Sequence, residues 1–496
     1  MTPPPSDTPT NEQQDSTAPS LGKAIHLGMV WNFIGFIGSQ ASGFVIFILL
    51  AMKLPPEIFG VVALAAVAAD IISMDGRFAC MDAVMQADDF SKKTLNTSFL
   101  AFFLVALPFS IGMVLLGIFV GKIEGYELVG EFLPIFGVMV LAVPWLAIMD
   151  AIIMRNLGFK QMTQRSILGT IAGGIVGIAV VFSPYMIWAL VAQRLVTLAV
   201  VILFEFRYTR WFPGRDVDWS ATIPFLKRFF PLLAISSLNQ AAPRITMVVF
   251  GARYDTATVG LLRAANRIGD TLQGPLVSPM MGLWFPLMTK VRGDRAGEAN
   301  IYTNIIWTAS LLSLPAFAGL ALISQDVATV LLPESYSGVG PILRAIAIIS
   351  LPIPLAWFNA IAMTALDMNK TSLTYTIVTV TITVGVLLAI PDVTPATAII
   401  VMSIPSWFIA IYGNILIHRR IGLDHAHHYF GMAPAILATL AMVGVVSMLY
   451  MLGSDWPAIV RLTSSASAGA LVYAGWLFVF HRNWLMERIS LIRGRA

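Results

Sequence analysis

The chain has 496 residues, of which 57% are hydrophobic and 12% are charged, and its mean hydropathy is +0.80. A water-soluble globule of this size needs far more polar surface, so the composition excludes a soluble enzyme. Apolar stretches of about 18 to 28 residues recur from Leu27 to Phe480, and each can cross a ~30 Å hydrocarbon core at ~1.5 Å per residue. Because backbone polar groups in lipid must bond to one another, the stretches predict an all-α integral membrane protein.

The predicted elements begin after a polar N-terminal segment. Residues 1–22 lack the cationic start and apolar centre of a signal peptide, and their composition predicts a disordered cytoplasmic tail. About 14 transmembrane helices are predicted after it: Leu27–Met52, Glu57–Met74, Thr97–Phe119, Phe132–Met154, Ile167–Phe182, Tyr185–Phe206, Phe229–Phe250, Thr258–Leu287, Ile301–Ile323, Val339–Leu366, Leu373–Ile390, Ala396–Ile417, Met432–Leu452 and Ile459–Phe480.

The distribution of basic residues tests this arrangement independently of hydropathy. Of the 31 Lys and Arg residues, 21 fall in loops on one side of the predicted helices and four in loops on the other. Loops rich in Lys and Arg face the cytoplasm. The pattern predicts a multi-pass protein of the bacterial inner membrane with both termini in the cytoplasm. Because the basic residues are spread over many loops and form no patch, no nucleic-acid partner is expected.

The longest polar connection, residues 207–228, divides the predicted helices into two sets. A shift of 200 residues across it aligns three pairs without a gap: Gln40 with Gln240, Gly60 with Gly260 and Asp70 with Asp270. Such a repeat predicts two pseudo-symmetric bundles in the same orientation. The predicted organisation is a tail (1–22), a six-helix bundle (23–206), a linker (207–228), a second six-helix bundle (229–417), two extra helices (418–480) and a basic cytoplasmic tail (481–496).

Six basic residues fall inside predicted spans or at their ends, where each needs a partner or a wet cavity: Arg77, Arg194, Arg244, Arg263, Arg267 and Arg344. In the eighth helix, Arg263, Asn266, Arg267 and Asp270 form one polar stripe. With Arg244 at similar depth on the preceding helix, the stripe predicts a cationic pocket for a diphosphate or an acidic sugar. The alternative is that Arg267 pairs with Asp270 and Arg263 extends to the interface.

Other polar residues within the spans extend this candidate site. Arg194 lies near mid-bilayer in the sixth helix, and Gln40 and Gln240 lie in the first and seventh helices, where they are predicted to line a hydrated lumen. Helix packing is the alternative for such polar residues. Asp70 and Asp270 are candidates for coupling to H⁺ or Na⁺, with structural ion pairs as the alternative.

No other cofactor is expected from the sequence. It contains no Gly-Lys-Ser/Thr loop for a nucleotide phosphate. His425, His427 and His428 cluster in one loop without an acidic or Cys partner, so they predict a solvated loop and no metal site.

Several stretches carry a family likeness: LPPEIFG at Leu54–Gly60, DGRFACMDAVMQ at Asp75–Gln86, LNTSF at Leu95–Phe99, MRNLGFKQMTQRSILGT with IWALVAQRLV between Met154 and Val196, and VGLLRAANRI with FPLMTKV between Val259 and Val291. They resemble the Wzx-like polysaccharide transporters of the multidrug/oligosaccharidyl-lipid/polysaccharide (MOP) exporter superfamily, especially those that export exopolysaccharide.

This resemblance implies a V-shaped pair of bundles that works by alternating access. The implied cargo is an undecaprenyl-diphosphate-linked oligosaccharide, moved from cytoplasm to periplasm for polysaccharide biosynthesis. Membrane lipids and polysaccharide polymerase or export machinery are the other implied partners. Many relatives carry an acidic residue in the seventh helix where this chain has Pro243-Arg244, which favours an anionic cargo.

Three alternatives remain at this stage. A MATE-like multidrug or cation antiporter needs acidic residues in its cavity, whereas this chain places arginines in its spans. A lipid II flippase differs in cargo alone. An enzyme of glycan assembly is expected to carry carboxylates or His in a sizeable extramembrane loop, and the loops here are short.

Overall fold

The computed structural model describes residues 21–87 and 89–492. Every regular element within these ranges is helical, which confirms the predicted fold class. The α-helices are α1 Leu21–Ala51, α2 Pro56–Asp70, α3 Arg77–Met85, α4 Lys92–Val120, α5 Glu127–Val140, α6 Val143–Arg155, α7 Phe159–Val181, α8 Ala189–Thr209, α9 Trp219–Asn239, α10 Ala241–Arg253, α11 Thr256–Lys290, α12 Arg295–Leu331, α13 Val339–Ile349, α14 Ile353–Ala365, α15 Asn369–Ala389, α16 Pro395–Ile421, α17 His425–Phe430, α18 Ala433–Leu452, α19 Ala458–Phe480 and α20 Arg482–Ile492. A π-helical segment, Ile71–Gly76, joins α2 to α3.

Among the described residues, eleven helices are long and apolar enough to cross a membrane, or 13 if each of two bent pairs forms one span. The pair α5 and α6 bends by 42°, and the pair α13 and α14 bends by 54°. Pro144 and Pro354 begin the second helix of these pairs, because proline lacks the N–H that would continue the preceding helix. Each predicted span falls on one of the helices or on two consecutive ones, and the eighth falls on α11.

The second predicted span is longer than expected. Glu57–Met74 was predicted to end before Asp75-Gly76, but the backbone continues through the π-helical segment into α3 and ends at Met85. The π-helical turn keeps the helix intact while it shifts the direction of the side chains that follow it. This register change directs Asp75 and Arg77 toward different partners, described below.

The connection between the two sets of helices is shorter than the predicted 207–228 linker. Helix α9 begins at Trp219, where the side chain of Asp218 accepts a hydrogen bond from the Ser220 backbone N–H at 3.0 Å. This bond and the one from the Ser220 hydroxyl hold the pKa of the Asp218 carboxyl below its ordinary value. The division into bundles at 23–206 and 229–417 stays a prediction.

Asn96 holds this connection in place. Its amide donates to the Asp216 carbonyl at 3.1 Å and its Oδ1 accepts from the Gly214 N–H at 3.0 Å. The neighbouring Thr97 hydroxyl accepts from the Asp218 N–H at 2.9 Å. The LNTSF motif therefore anchors the chain where it passes from the first set of helices to the second.

The two sets of helices meet where α2 packs against α11. A Cβ atom added to Gly60 would lie 1.7 Å from the Thr256 carbonyl oxygen, and one added to Gly260 would lie 1.8 Å from the Pro56 carbonyl oxygen. Only glycine permits so close an approach of two backbones. Nearby, the Tyr336 hydroxyl donates to the Leu54 carbonyl at 2.9 Å. The two sets of helices touch here, and we call this end of the space between them the glycine end.

The two sets of helices also touch at the other end of this space. There α9 packs against α3 and α4, and the rings of Phe102 and Phe229, both fully buried, lie 5.0 Å apart between centroids. The two sets of helices are therefore in contact at both ends of the space between them.

The predicted solvated histidine loop was wrong for His428, whereas His425 and His427 are exposed as predicted. His428 is fully buried and stacks on Tyr302 at 5.4 Å between ring centroids, and His418 Nδ1 lies 2.6 Å from His425 Nδ1. The carboxyl group of Asp424 caps the short helix α17 and turns these rings beneath α12. His418 and His428 are part of the protein interior, and no group of metal-ligating residues occurs in the described part of the chain.

The predicted basic tail, 481–496, is helical over the part that the structure describes. Helix α20 spans Arg482–Ile492, and residues 493–496 lie outside the described residues, as does most of the predicted N-terminal tail, residues 1–20. Arg488 is fully buried, with its guanidinium 5.1 Å from the Trp307 ring centroid and bonded to Asn304. Arg488 therefore packs against α12, whereas Arg482, Asn483, Met486 and Glu487 are exposed.

Candidate substrate site

A cavity of about 540 Å³ lies between the first set of helices and α11. We call it the central cavity. Its charged lining residues are four arginines and one carboxylate: Arg77, Arg194, Arg263, Arg267 and Asp70. Uncharged polar side chains complete the wall: Ser39, Gln40, Ser73, Thr170, Gln193 and Thr197. The cavity is therefore polar, with an excess of positive charge.

Arg263 is the least compensated of these charges. Its side chain is exposed within the cavity and has no hydrogen-bond or ion-pair partner among the described residues. A guanidinium so placed in a helix that is predicted to cross the membrane requires water or an anion as its partner.

Arg267 crosses from the second set of helices to the first. Its Nη1 donates to Gln40 Oε1 at 3.2 Å. A Cβ atom on Gly43 would lie only 2.2 Å from Arg267 Nη2, so the absence of a side chain there makes room for the guanidinium. The alternative pair of Arg267 with Asp270 does not form within the described residues. Arg267 keeps its positive charge without a carboxylate partner.

Arg194 and Asp70, which both line the central cavity, form an ion pair between α8 and α2. Arg194 Nη1 lies 3.4 Å from Asp70 Oδ1, and its guanidinium lies 5.3 Å from the Phe136 ring centroid. The pair is half-exposed and long, so it leaves most donors of the guanidinium available.

Arg77 is neutralised by a buried network at the wall of the cavity. Its Nε lies 2.5 Å from Asp150 Oδ2 and its Nη2 lies 2.9 Å from Glu205 Oε1. Arg165 contacts both carboxylates, at 3.0 Å from Asp150 Oδ1. Two positive and two negative charges balance, so this network ties α3, α6, α7 and α8 together and adds no net charge to the cavity.

Arg244 does not reach the central cavity. Its guanidinium grips the Asp75 carboxylate, with distances of 2.5 and 3.1 Å, and Ser237 donates to the same carboxylate at 3.1 Å. The π-helical segment directs Asp75 toward α10. Arg244 therefore forms an ion pair between the two halves and is not available to bind a substrate.

The structure brings together five of the predicted site residues: Gln40, Asp70, Arg194, Arg263 and Arg267. Four others lie outside the lining of the cavity: Arg244, Asn266, Gln240 and Asp270. Sequence reasoning overlooked Asp150 and Glu205 as the partners of Arg77. Both are carboxylates inside predicted apolar spans, and that position was a signal available in the sequence.

Comparison with known proteins places these features in context. A family model described as polysaccharide biosynthesis protein matches residues 49–341. The succinoglycan biosynthesis transport protein ExoT of Rhizobium meliloti is 22% identical over 483 residues, which cover 95% of this chain and 96% of the relative. The teichuronic acid biosynthesis protein TuaB of Bacillus subtilis is 24% identical over 423 residues, covering 83% and 86%.

Solved structures show the fold. The lipid II flippase MurJ in an inward closed conformation superimposes with a TM-score of 0.73, covering 92% of this chain and 100% of the other at 16% identity. An inward-facing MATE family multidrug resistance transporter of the MOP superfamily gives a TM-score of 0.60, covering 80% and 98% at 17% identity. The chain has the MOP fold, as predicted.

Proposed function

Because the chain belongs to the polysaccharide biosynthesis protein family, we propose that it moves an anionic, lipid-linked oligosaccharide repeat unit across the membrane. The observation that carries the proposal is Arg263, a guanidinium exposed in the central cavity with no protein partner among the described residues. The names of two relatives, one a succinoglycan biosynthesis transport protein and one a teichuronic acid biosynthesis protein, support polysaccharide as the cargo class.

The central cavity suits the charged and sugar parts of such a cargo. Arg263, Arg267 and Arg194 bind a diphosphate or an acidic sugar through charge-assisted hydrogen bonds, which are stronger than neutral ones. The uncharged lining side chains offer hydrogen bonds to sugar hydroxyls. The lipid chain stays among the acyl chains of the bilayer. An undecaprenyl diphosphate carrier fits this division of polar and apolar parts.

The cargo moves when the helix contacts at the two ends of the cavity open in turn. Opening the end at α3, α4 and α9 admits the cargo from the cytoplasm, and opening the glycine end releases it on the periplasmic side. The bacterial inner membrane, with both termini in the cytoplasm, is the setting that the basic loops favour. Polysaccharide polymerase or export machinery then takes up the released unit.

Catalysis is not part of the proposal. Glycosyl transfer by protein side chains uses a pair of carboxyl groups, one as acid and one as base or nucleophile. The described lining of the central cavity offers Asp70 alone, and Asp70 already contacts Arg194. A binding and release role therefore fits better than an enzyme.

The positive charge of the cavity also separates the rival transporters. A cation extruder needs net negative charge around its substrate, whereas three of the arginines here lack full neutralisation. This chain is similar to the lipid II flippase in fold alone. A direct transport assay with lipid II decides whether lipid II is also a cargo of this protein.

Asp70 is the carboxylate that we propose for coupling to H⁺ or Na⁺. It lies in the cavity wall next to the π-helical segment and 3.4 Å from Arg194. An anionic cargo that binds Arg194 releases Asp70, which then takes up a cation. Asp270, also predicted for this role, is exposed and outside the cavity lining, so it is the weaker candidate.

Complementation of a deletion strain of the source bacterium tests the function. We expect Arg263→Ala to reduce surface polysaccharide by at least about tenfold, the cost of one charged hydrogen bond. Arg263→Lys should retain part of the output because it keeps the charge. Lys122→Ala, which removes an exposed charge far from the cavity lining, is the matched control. Normal export by Arg263→Ala at equal membrane abundance would reject the site.

A further inference from the structure

A second cavity, of about 530 Å³, lies between α12, α13 and α18. We call it the lateral cavity. It shares no lining residue with the central cavity. Most of its wall is aliphatic, with Ala318 and Leu322 on one side and Val443 and Met451 on the other. Arg344 is the one charged residue among its lining residues.

Arg344 lies within the membrane-spanning part of the helix. It follows the first residue of α13, Val339, by five positions, which at ~1.5 Å per residue is roughly 7.5 Å along the axis. Its neighbours Leu343 and Ala345 are buried, but Arg344 itself is exposed on the face that lines the lateral cavity. It has no hydrogen-bond or ion-pair partner among the described residues.

Asp326, a carboxylate bonded to one lining residue of the lateral cavity, is already neutralised. Tyr450, which lines the cavity, donates its hydroxyl to Asp326. Arg461 grips the same carboxylate through Nε, at 3.1 and 2.8 Å, and through Nη2. Asp326 therefore compensates Arg461, and the charge of Arg344 has no counter-ion among the described residues.

The surroundings of the cavity are suited to a lipid. On α18, Leu440 is 59% exposed, Met448 62%, Met451 81% and Leu452 67%. Apolar side chains so exposed on a membrane-spanning helix face acyl chains. An anion that reaches Arg344 by this route must itself carry a long apolar chain, because a free ion cannot cross that surface without losing its hydration.

We propose that the lateral cavity binds the phosphate group of a membrane lipid, with Arg344 as the charged donor. The guanidinium offers the paired N–H groups that suit phosphate oxygens, and the Ser447 hydroxyl on the facing wall adds a further donor. Tyr450 contributes only its ring, because its proton is bonded to Asp326. The lipid chain then packs along the exposed apolar side chains of α18.

Two kinds of lipid combine a phosphate group with a long apolar chain: an acidic phospholipid of the bilayer and a polyprenyl phosphate. The site does not depend on the transport function proposed above, because it uses none of the same residues.

Titration of the purified, delipidated protein distinguishes these sources. Phosphatidylglycerol, undecaprenyl phosphate, uncharged diacylglycerol and inorganic phosphate are each added, and bound lipid is measured by native mass spectrometry. We expect at least one phosphate lipid to bind, and Arg344→Gln to weaken that binding by about tenfold or more. Stronger binding of undecaprenyl phosphate identifies the polyprenyl carrier as the occupant, and stronger binding of phosphatidylglycerol identifies bulk lipid.

Two control variants distinguish loss of the site from misfolding of the protein. Arg344→Lys keeps the charge and should bind within a few-fold of the unmodified protein. Arg295→Gln removes an exposed arginine from the opposite end of the long helix α12, and should leave binding unchanged. Equal lipid binding by Arg344→Gln and the unmodified protein would overturn the proposal. Binding of diacylglycerol or inorganic phosphate as tight as that of the phosphate lipids would overturn it as well.

Discussion

Gly60 and Gly260, separated by 200 residues in the chain, pack against each other where the two halves of the protein meet. A Cβ atom on Gly60 would lie 2.9 Å from the Gly260 backbone nitrogen, and each glycine also faces a carbonyl oxygen of the other half. The repeat therefore places the same residue on both sides of one contact, and the contact closes the glycine end of the central cavity.

A methyl group at either position should open this end. Because the atoms that it would strike belong to backbone, Gly260→Ala forces α2 and α11 apart and shifts the protein toward the open state. The measurement is the rate at which a membrane-impermeant maleimide labels a cysteine placed at Ser73 in the central cavity, with the buried Cys80 replaced by serine. A shift of only 1 kcal/mol raises the labelling rate about fivefold.

Gly444→Ala is the control for that experiment, since a Cβ atom there meets nothing within 4 Å. Labelling of Gly260→Ala at the control rate would show that the glycine contact does not hold the cavity closed.

Gly43→Ala should impair transport without harming the fold. The added methyl group would meet Arg267 Nη2, the far end of a flexible side chain, which moves aside at little cost in stability. The displaced guanidinium then loses its bond to Gln40 and its position in the central cavity. We expect polysaccharide output to fall about as far as in Arg267→Ala, while the thermal unfolding temperature stays unchanged. Gly112→Ala, in open space, should behave as the unmodified protein.

The buried network around Arg77 should respond to loss of one charge. Glu205→Gln leaves Arg77 and Arg165 facing Asp150 alone, so an uncompensated buried charge remains. Breaking such a pair costs about 3–5 kcal/mol of folding free energy. Thermal unfolding of the detergent-solubilised protein measures this loss. The double variant Arg165→Met/Glu205→Gln restores the balance and should recover part of the stability; a double variant no more stable than Glu205→Gln contradicts the charge-balance argument.

Replacement of Asn96 tests the anchor of the connection between the halves. Asn96→Ala removes the partners of the Gly214 N–H and the Asp216 carbonyl, at a cost of about 1–3 kcal/mol. Faster proteolysis within residues 210–218 is the readout. Asn96→Asp keeps the acceptor for Gly214 and loses the donor for Asp216, so its effect should be intermediate. If the unmodified protein and both Asn96 variants are cleaved at the same rate, Asn96 does not hold residues 210–218 in place.

The all-α membrane fold class and most helix positions followed from the sequence, because an apolar stretch long enough to cross a bilayer must close its own backbone hydrogen bonds whatever surrounds it. The MOP fold itself was implied only by the family resemblance. The register of the repeat also followed from the sequence, which aligns Gly60 with Gly260. The family resemblance and the presence of arginines inside spans were likewise properties of the sequence alone.

Tertiary structure decided which of those arginines is neutralised. Arg244 and Arg263 look alike in the sequence, yet the π-helical turn brings Asp75 to Arg244 and leaves Arg263 in the central cavity without a partner among the described residues. Hydropathy depends on the composition of one segment, whereas a counter-ion comes from a distant helix whose rotation and approach are set by packing. A single turn of π-helix rotates every side chain after it, and no apolar pattern in the sequence records that rotation.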